Sequence, residues 1–387
     1  MFSRRTDWKL TPNRFTEAVE QVRASGMEIL DLTISNPTRA GIEYDGTAIL
    51  DAFRDLKSLD YDPQPKGLGS AREAVAEYYS ARNDQADAEH LVLTTSTSEG
   101  YSYVFRLLAN PDDEVLVPKP SYPLFDFLAE LQDVKLVSYP LLYDHGWQID
   151  WPSLESAVSE ETRAIVVVHP NNPTGSYMSA GERERLNELC RERRLALIVD
   201  EVFLDYAQDG SRRESFVVNE GVLTFTLSGV SKISGLPQMK LAWIAVSGPQ
   251  ADVDAAVQRL EVVADTYLSL NAPVQLAART LLEQRRKIQP QLMQRVRANL
   301  AELDRQLAGQ KSTARLEVEG GWYAVLRVPV TQSDEDLAIA LLQKTRTMVH
   351  PGHFYDFPRD GYLVISLITP EKDFLEGIAR LLKFQSQ

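Results

Sequence analysis

The chain has 387 residues, and its 41 lysines and arginines against 55 aspartates and glutamates leave a formal charge of −14. Hydrophobic residues make up 44% and charged residues 25%, the balance of a folded chain, while the acidity gives no basic field to hold nucleic acid or an anionic membrane. A single cysteine, Cys190, excludes a disulfide framework and a multi-thiolate metal site, and the length suggests two or three domains at roughly 100–200 residues each.

No apolar signal-peptide core follows the two arginines near Met1. The longest apolar stretches, such as Ala164–Val168 and Leu195–Val199, are far shorter than the ~18 residues a membrane span needs. A cytoplasmic globular protein is the expectation. In chain order, short β-branched runs at His90–Thr94, Glu114–Val117, Lys135–Tyr139, Ala164–Val168, Leu195–Val199, Val222–Thr226 and Leu241–Val246 read as strands. Helical spacing at Ser98–Ala109, Ser121–Leu131 and Ala180–Arg194 lies between them. The alternation predicts an α/β fold: a mostly parallel seven-stranded sheet covered by helices. Beyond Ala251 the pattern changes to helices at Ala251–Ala264 and Val274–Leu307. Strands at Arg315–Val318, Trp322–Val328 and Tyr362–Leu367 follow, with helices at Asp334–Thr345 and Glu371–Phe384. This describes a smaller α+β domain, so residues 46–280 form the expected large domain and residues 1–45 plus 281–387 the small one.

Open parallel sheets bind ligands beyond the carboxyl ends of their strands. Four polar elements stand there. Thr95-Ser96-Thr97-Ser98-Glu99-Gly100 opens a helix; His169-Pro170-Asn171-Asn172-Pro173-Thr174-Gly175 follows the fourth strand; Asp200-Glu201 ends the fifth; Ser228-Gly229-Val230-Ser231-Lys232 ends the sixth. Each alone is an N-cap, a turn or a solvated charge, but their placement at strand ends makes them one site. A lysine able to form a Schiff base, a carboxylate able to hold a pyridine nitrogen protonated and a hydroxyl-rich helix N-terminus able to bind phosphate suit pyridoxal phosphate. The five histidines include no HExxH, and no metal site is expected.

From about Leu30 to Glu376 the chain resembles the fold-type I pyridoxal-phosphate aminotransferases of the aspartate-aminotransferase-like class I/II group. The resemblance rests on Tyr61-Asp62-Pro63 with Gly67-Leu68-Gly69, Thr95–Gly100, Pro120-Ser121-Tyr122-Pro123, Asn172-Pro173-Thr174-Gly175, Asp200-Glu201-Val202, Ser231-Lys232 with Gly235-Leu236-Pro237, and His350-Pro351-Gly352. It implies that Lys232 forms the Schiff base with pyridoxal 5′-phosphate and moves the catalytic proton, and that Asp200 pairs with the pyridinium nitrogen. It also implies that Asn172 meets the phenolate oxygen, that Tyr122 stacks on the ring, and that Ser96, Thr97, Ser98 and Ser231 bind the phosphate. Tyr61 is implied to reach a partner's phosphate across a homodimer with shared active sites. The implied activity is amino transfer between an amino acid and a 2-oxo acid by a ping-pong route; the alternative is a lyase (C–S or β-elimination), racemase or decarboxylase of the same fold. A cofactor-binding regulator would carry a DNA-binding domain, for which Met1–Leu30 is too short.

Four departures bear on the substrate. Phe203 follows Asp-Glu-Val where the family has Tyr, removing a hydroxyl from the phenolate side. Lys240 stands where the phosphate-binding basic residue is usually Arg, a point charge in place of a bidentate fork. Val364 occupies the place of the arginine that grips the substrate carboxylate. Asp265–Asn271 contains no arginine for a distal carboxylate, so dicarboxylate specificity is not expected. The Asn36-Pro37-Thr38-Arg39 loop resembles the family's substrate-side loop, and Arg39 is the preferred replacement cation, ahead of His353 and Arg359. Trp322, Phe354 and Tyr355 suggest an apolar or aromatic substrate wall.

Overall fold

Strands made of Val, Ile and Leu with no polar alternation can be satisfied only between two layers, and that is where they lie. The computed structural model describes residues 1–386. Its large sheet has eight strands in the spatial order Leu91–Thr94, Ala242–Ser247, Thr224–Gly229, Ala196–Asp200, Thr162–Val168, Glu114–Lys119, Lys135–Tyr143 and Trp147–Ile149. The five from Thr224–Gly229 to Lys135–Tyr143 run parallel, and Ala242–Ser247 runs against both of its neighbours. Val115, Leu116, Ile165, Val166, Leu197 and Ile198 are fully buried, with apolar clusters on both faces. Trp147–Ile149, too short to carry a periodic signal, folds back antiparallel on Lys135–Tyr143 as an edge strand beyond the seven expected.

The helices follow local chemistry. Ser96 caps Thr97–Leu108 by accepting from Glu99 N at 3.2 Å. Ser179 and Glu182 form a capping box on Ala180–Arg193. Of the helix expected at Ser121–Leu131, only Phe125–Glu130 forms: Pro123 restricts the residue before it, and Ser121 N is bonded to Tyr355 O at 2.9 Å. The helical region Val274–Leu307 is three pieces, Ala272–Leu276, Ala278–Glu283 and Arg285–Leu307. The junction residues Ala277 and Gln284 keep right-handed helical dihedrals, so the chain bends without reversing.

A four-stranded antiparallel sheet, ordered Ala314–Arg315, Tyr323–Arg327, Tyr362–Ser366 and His350–Pro351, lies in the C-terminal third. The strand expected at Arg315–Val318 is cut short because the chain beyond it turns toward the large sheet. There Glu319 O accepts from Gln208 N at 2.8 Å and Glu319 Oε2 from Tyr177 N at 2.9 Å. Leu30–Asp31 pairs parallel with Thr347–Met348, and Phe15, Val19 and Leu32 share one apolar core with Leu326, Leu341, Ile365 and Phe374. Phe203 and Tyr206 also belong to that core. They therefore bridge the two sheets beside the strand-end loops. Among the described residues no helix is long and apolar enough to cross a membrane.

Candidate active site

The strand Thr224–Gly229 runs directly into a single helical turn, Val230–Ile233, which carries Lys232. One turn cannot satisfy its own C-terminal carbonyls. Three side chains from remote elements do so. Tyr206 Oη donates to Lys232 O at 2.6 Å, Gln289 Nε2 to Ile233 O at 2.9 Å, and Tyr44 Oη to Gly235 O at 2.8 Å. Gly235 sits at φ +58°, and a Cβ there would lie 2.9 Å from Ile288 Cγ2, so the exit from this turn demands glycine. The Lys232 amine stands 5.0 Å from the Trp322 ring centroid and 5.4 Å from that of Phe203. Burial lowers its pKa to about 8, against the opposing pull of Asp200.

Asp200 ends the neighbouring strand. Its carboxylate accepts from Val202 N at 3.1 Å and from Tyr101 Oη at 3.3 Å, and burial raises its pKa to about 6. At that value it is largely ionised at neutral pH, and its charge is felt at the Lys232 amine on the adjacent strand. Tyr101 was not anticipated, although it lies one helical turn beyond Thr97 and so shares that residue's face. Glu201 turns to the opposite side of the strand, where Ser215 Oγ and Phe216 N donate to it, each at 2.6 Å, and burial pushes its pKa up to about 7.

The Asn172 segment is braced from below. Thr174 Oγ1 donates to Asn171 Oδ1 at 2.9 Å, and Gly175 sits at φ +73° where a Cβ would collide with Gly320 O. Asn172 Oδ1 is buried without a partner. Ser96, Thr97 and Ser98 are half-buried at the start of Thr97–Leu108, where backbone N–H groups and the helix dipole favour an anion. Their turn is held by Glu99, whose Oε2 accepts from Thr95 N at 2.7 Å and Ser269 Oγ at 2.9 Å. Ser231 is half-buried beside Lys232. Tyr122 is 44% exposed, and its hydroxyl pKa is raised by burial and by Asp200.

The remaining expected residues are spread more widely. Lys240 is exposed in a left-handed conformation. Tyr61, 85% exposed, borders a surface groove of about 190 Å³ with Leu268, Asn271 and Gln275. Asn36 spends its Oδ1 on Thr38 N at 3.0 Å and Thr38 Oγ1 at 2.8 Å, and Arg39 is exposed on the same short turn. That turn reaches the lysine loop: Pro37 Cβ is 3.6 Å from where a Gly235 Cβ would be. Val364 is fully buried. Tyr206 does not replace the hydroxyl lost at Phe203, because its own is committed to the Lys232 carbonyl.

An amine of lowered pKa, a buried carboxylate on the adjacent strand, an unpartnered buried carboxamide and a hydroxyl-rich helix N-terminus are a donor set that suits pyridoxal phosphate. Fold and donor set define a fold-type I pyridoxal-phosphate enzyme. The family model described as aminotransferase class I and II matches residues 28–380, and the chain belongs to that family. It is similar to the glutamate-pyruvate aminotransferase AlaA of Haemophilus influenzae, 27% identical over 377 residues, covering 95% of this chain and 93% of that protein. It is also similar to the alanine aminotransferase of Mycobacterium tuberculosis, 27% identical over 376 residues, covering 94% of this chain and 87% of that one. The solved alanine aminotransferase from Pyrococcus furiosus has the same fold, with a TM-score of 0.89 at 21% identity and full coverage of both chains. The protein is a pyridoxal-phosphate-dependent aminotransferase, moving an amino group between an amino acid and a 2-oxo acid.

Proposed function

We propose that the enzyme is a cytoplasmic homodimer that accepts small neutral amino acids, alanine first among them, and returns the amino group to a 2-oxo acid. The alanine and glutamate-pyruvate aminotransferases it is similar to support this reading, as does the absence of arginine from Asp265–Asn271. The single observation that carries the chemistry is the Lys232–Asp200 pair at adjacent strand ends.

Pyridoxal phosphate, when bound, supplies an electron-withdrawing ring that takes up the charge left when the substrate's α-carbon loses its proton. Lys232 would anchor it through the ε-amine. With a pKa near 8, that amine is substantially neutral in mildly alkaline solution and is placed to accept and return the α-proton. Asp200 would hold the ring nitrogen's proton, Asn172 the phenolate oxygen, and Tyr122 the ring face. Ser96, Thr97, Ser98, Ser231 and Lys240 would hold the phosphate. Tyr61 is too exposed to serve its own site and would serve the partner's. Asn36 and Arg39 form the rim that draws substrate carboxylates toward the cleft. Residues 46–280 would move as the large domain and 1–45 with 281–387 as the small one, closing the cleft between them.

The test is a donor panel on the purified enzyme with no 2-oxo acid present. The expected result is loss of the cofactor's long-wavelength absorbance with alanine and its recovery on adding a 2-oxo acid. Borohydride should leave a stable mass gain on Lys232, absent from Lys232→Ala, which should also have no measurable turnover. Release of ammonia with no recoverable aminated cofactor would overturn the reading.

A further inference from the structure

Val364 fills the place where a guanidinium would grip the substrate's carboxylate, and strand register shows what surrounds it. Val364 lies opposite His350 on one side and Val325 on the other, and Ser366 lies opposite Tyr323. Residues directly opposite in antiparallel strands present their side chains on the same face. Tyr323, Val364, Ser366 and His350 therefore share one face of the small sheet.

That face looks onto the active site. Ser366 Oγ donates to Ile34 O in the N-terminal loop, and the neighbouring Ser35 side chain eases the rise that burial imposes on the Tyr323 hydroxyl pKa. The Tyr323 ring is 6.2 Å from that of Phe203, which in turn borders the Lys232 amine. His350 Nδ1 lies 3.1 Å from Tyr355 Oη. The Tyr355 phenol is held well above its usual pKa by burial and by the hydroxyls of Tyr323 and Tyr122, so it stays a donor at any working pH. Burial lowers the proton affinity of His350, and Asp31, tied to Thr33 N at 2.7 Å, pulls the other way. Ser121 donates its amide to Tyr355 O at 2.9 Å and keeps a buried hydroxyl with no partner.

We propose that the substrate's α-carboxylate is received by the Tyr355 hydroxyl, backed by His350, in place of an arginine. His350, protonated on Nδ1, donates to Tyr355 Oη and leaves the phenol's proton for the carboxylate. A neutral relay thus does what a cation does elsewhere, and Arg39 at the rim is not the direct holder. This rests on the aminotransferase reading.

The experiment titrates the loaded enzyme with L-alanine and with L-alaninamide, which lacks the negative charge, and follows the cofactor absorbance with no acceptor present. A hydrogen bond to a charged group corresponds to about a tenfold or larger change in affinity, so the acid should bind at least about tenfold better than the amide. Tyr355→Phe should bring the two near parity, His350→Phe should do the same without altering the phenol, and Arg39→Ala should keep most of the preference, losing only the few-fold that its screened field supplies and that salt erases. Melting temperature and cofactor absorbance identify any variant that fails to fold, and the other of the pair then decides. Full preference retained by a folded Tyr355→Phe or His350→Phe enzyme, or its loss in Arg39→Ala, overturns the assignment. An enzyme whose absorbance responds to no amino acid at all would instead bring down the aminotransferase reading, a result distinct from a lost preference.

Discussion

The cleft has two unlike walls. On the large-sheet side, Asp200, Asn172 and Lys232 follow strands paired on both sides, the Ser96–Ser98 turn follows the edge strand Leu91–Thr94, and bonds from remote elements hold the Lys232 turn and Glu99. On the small-sheet side, His350, Tyr355, Asn36 and Arg39 sit on a two-residue strand and short 3-10 turns. The first wall carries chemistry common to every substrate, and the second carries whatever distinguishes one substrate from another. Rigidity is concentrated where a proton must move over a fixed distance. Of the departures from the family pattern, Val364 falls on the second wall and Phe203 beside the lysine of the first.

Substitutions on the first wall should act on kcat and those on the second on KM, and the contrast can be broken at three places. Asp200→Asn should have the largest effect, lowering kcat by about 100-fold or more, because a neutral amide would not hold the proton on the ring nitrogen that makes the ring electron-withdrawing. A comparable change in KM alone would place Asp200 outside the chemistry. Next comes Tyr206→Phe. It removes one donor from the Lys232 carbonyl, which keeps backbone donors, Gly235 N at 3.3 Å among them, and a lost hydrogen bond costs about 0.5–1.5 kcal/mol, to be read as a lower melting temperature. If the bond also positions the amine, kcat should fall while KM holds, and cofactor trapping by borohydride should slow. Arg39→Ala should raise KM only a few-fold, with salt erasing the difference, since an exposed charge acts through a screened field; a kcat effect would move Arg39 onto the first wall.

The smallest effects concern pH. The nucleophilic form of Lys232 is the neutral amine, and its folded pKa near 8 lies below the unfolded value. Cofactor capture by the apo chain should therefore accelerate as pH rises toward about 8 and level off above it. Phe203→Tyr should restore a donor beside the cofactor's phenolate and shift the pH midpoint of the enzyme's absorbance change downward. An upward shift would show that the new hydroxyl points into the Trp322 side of the box instead.

Much of the first wall was legible before any fold was known. Strand-end placement of Thr95–Gly100, Asn172–Gly175, Asp200 and Lys232 follows from short apolar runs that stop at polar residues, a local signal. Tyr101 escaped notice because nothing in its surroundings distinguishes a helix tyrosine facing Asp200 from one facing the core. The three donors on the Lys232 turn, Tyr206, Gln289 and Tyr44, lie 26, 56 and 191 residues from the carbonyls they hold, and no local pattern links them. Tyr206 packs beside Phe203 against Trp322 and spends its hydroxyl on the Lys232 carbonyl, a contact that no local pattern announces.

By itself, the order of residues determined the parallel sheet and the cofactor class and singled out Lys232 and Asp200 as candidates at adjacent strand ends, because hydrophobic runs and the groups that end them are written contiguously. Only the tertiary structure decided what stands beside Val364 and which side chains hold the lysine turn. Those neighbours are set by register between antiparallel strands and by packing across two sheets, where residues adjacent in space are remote in the chain.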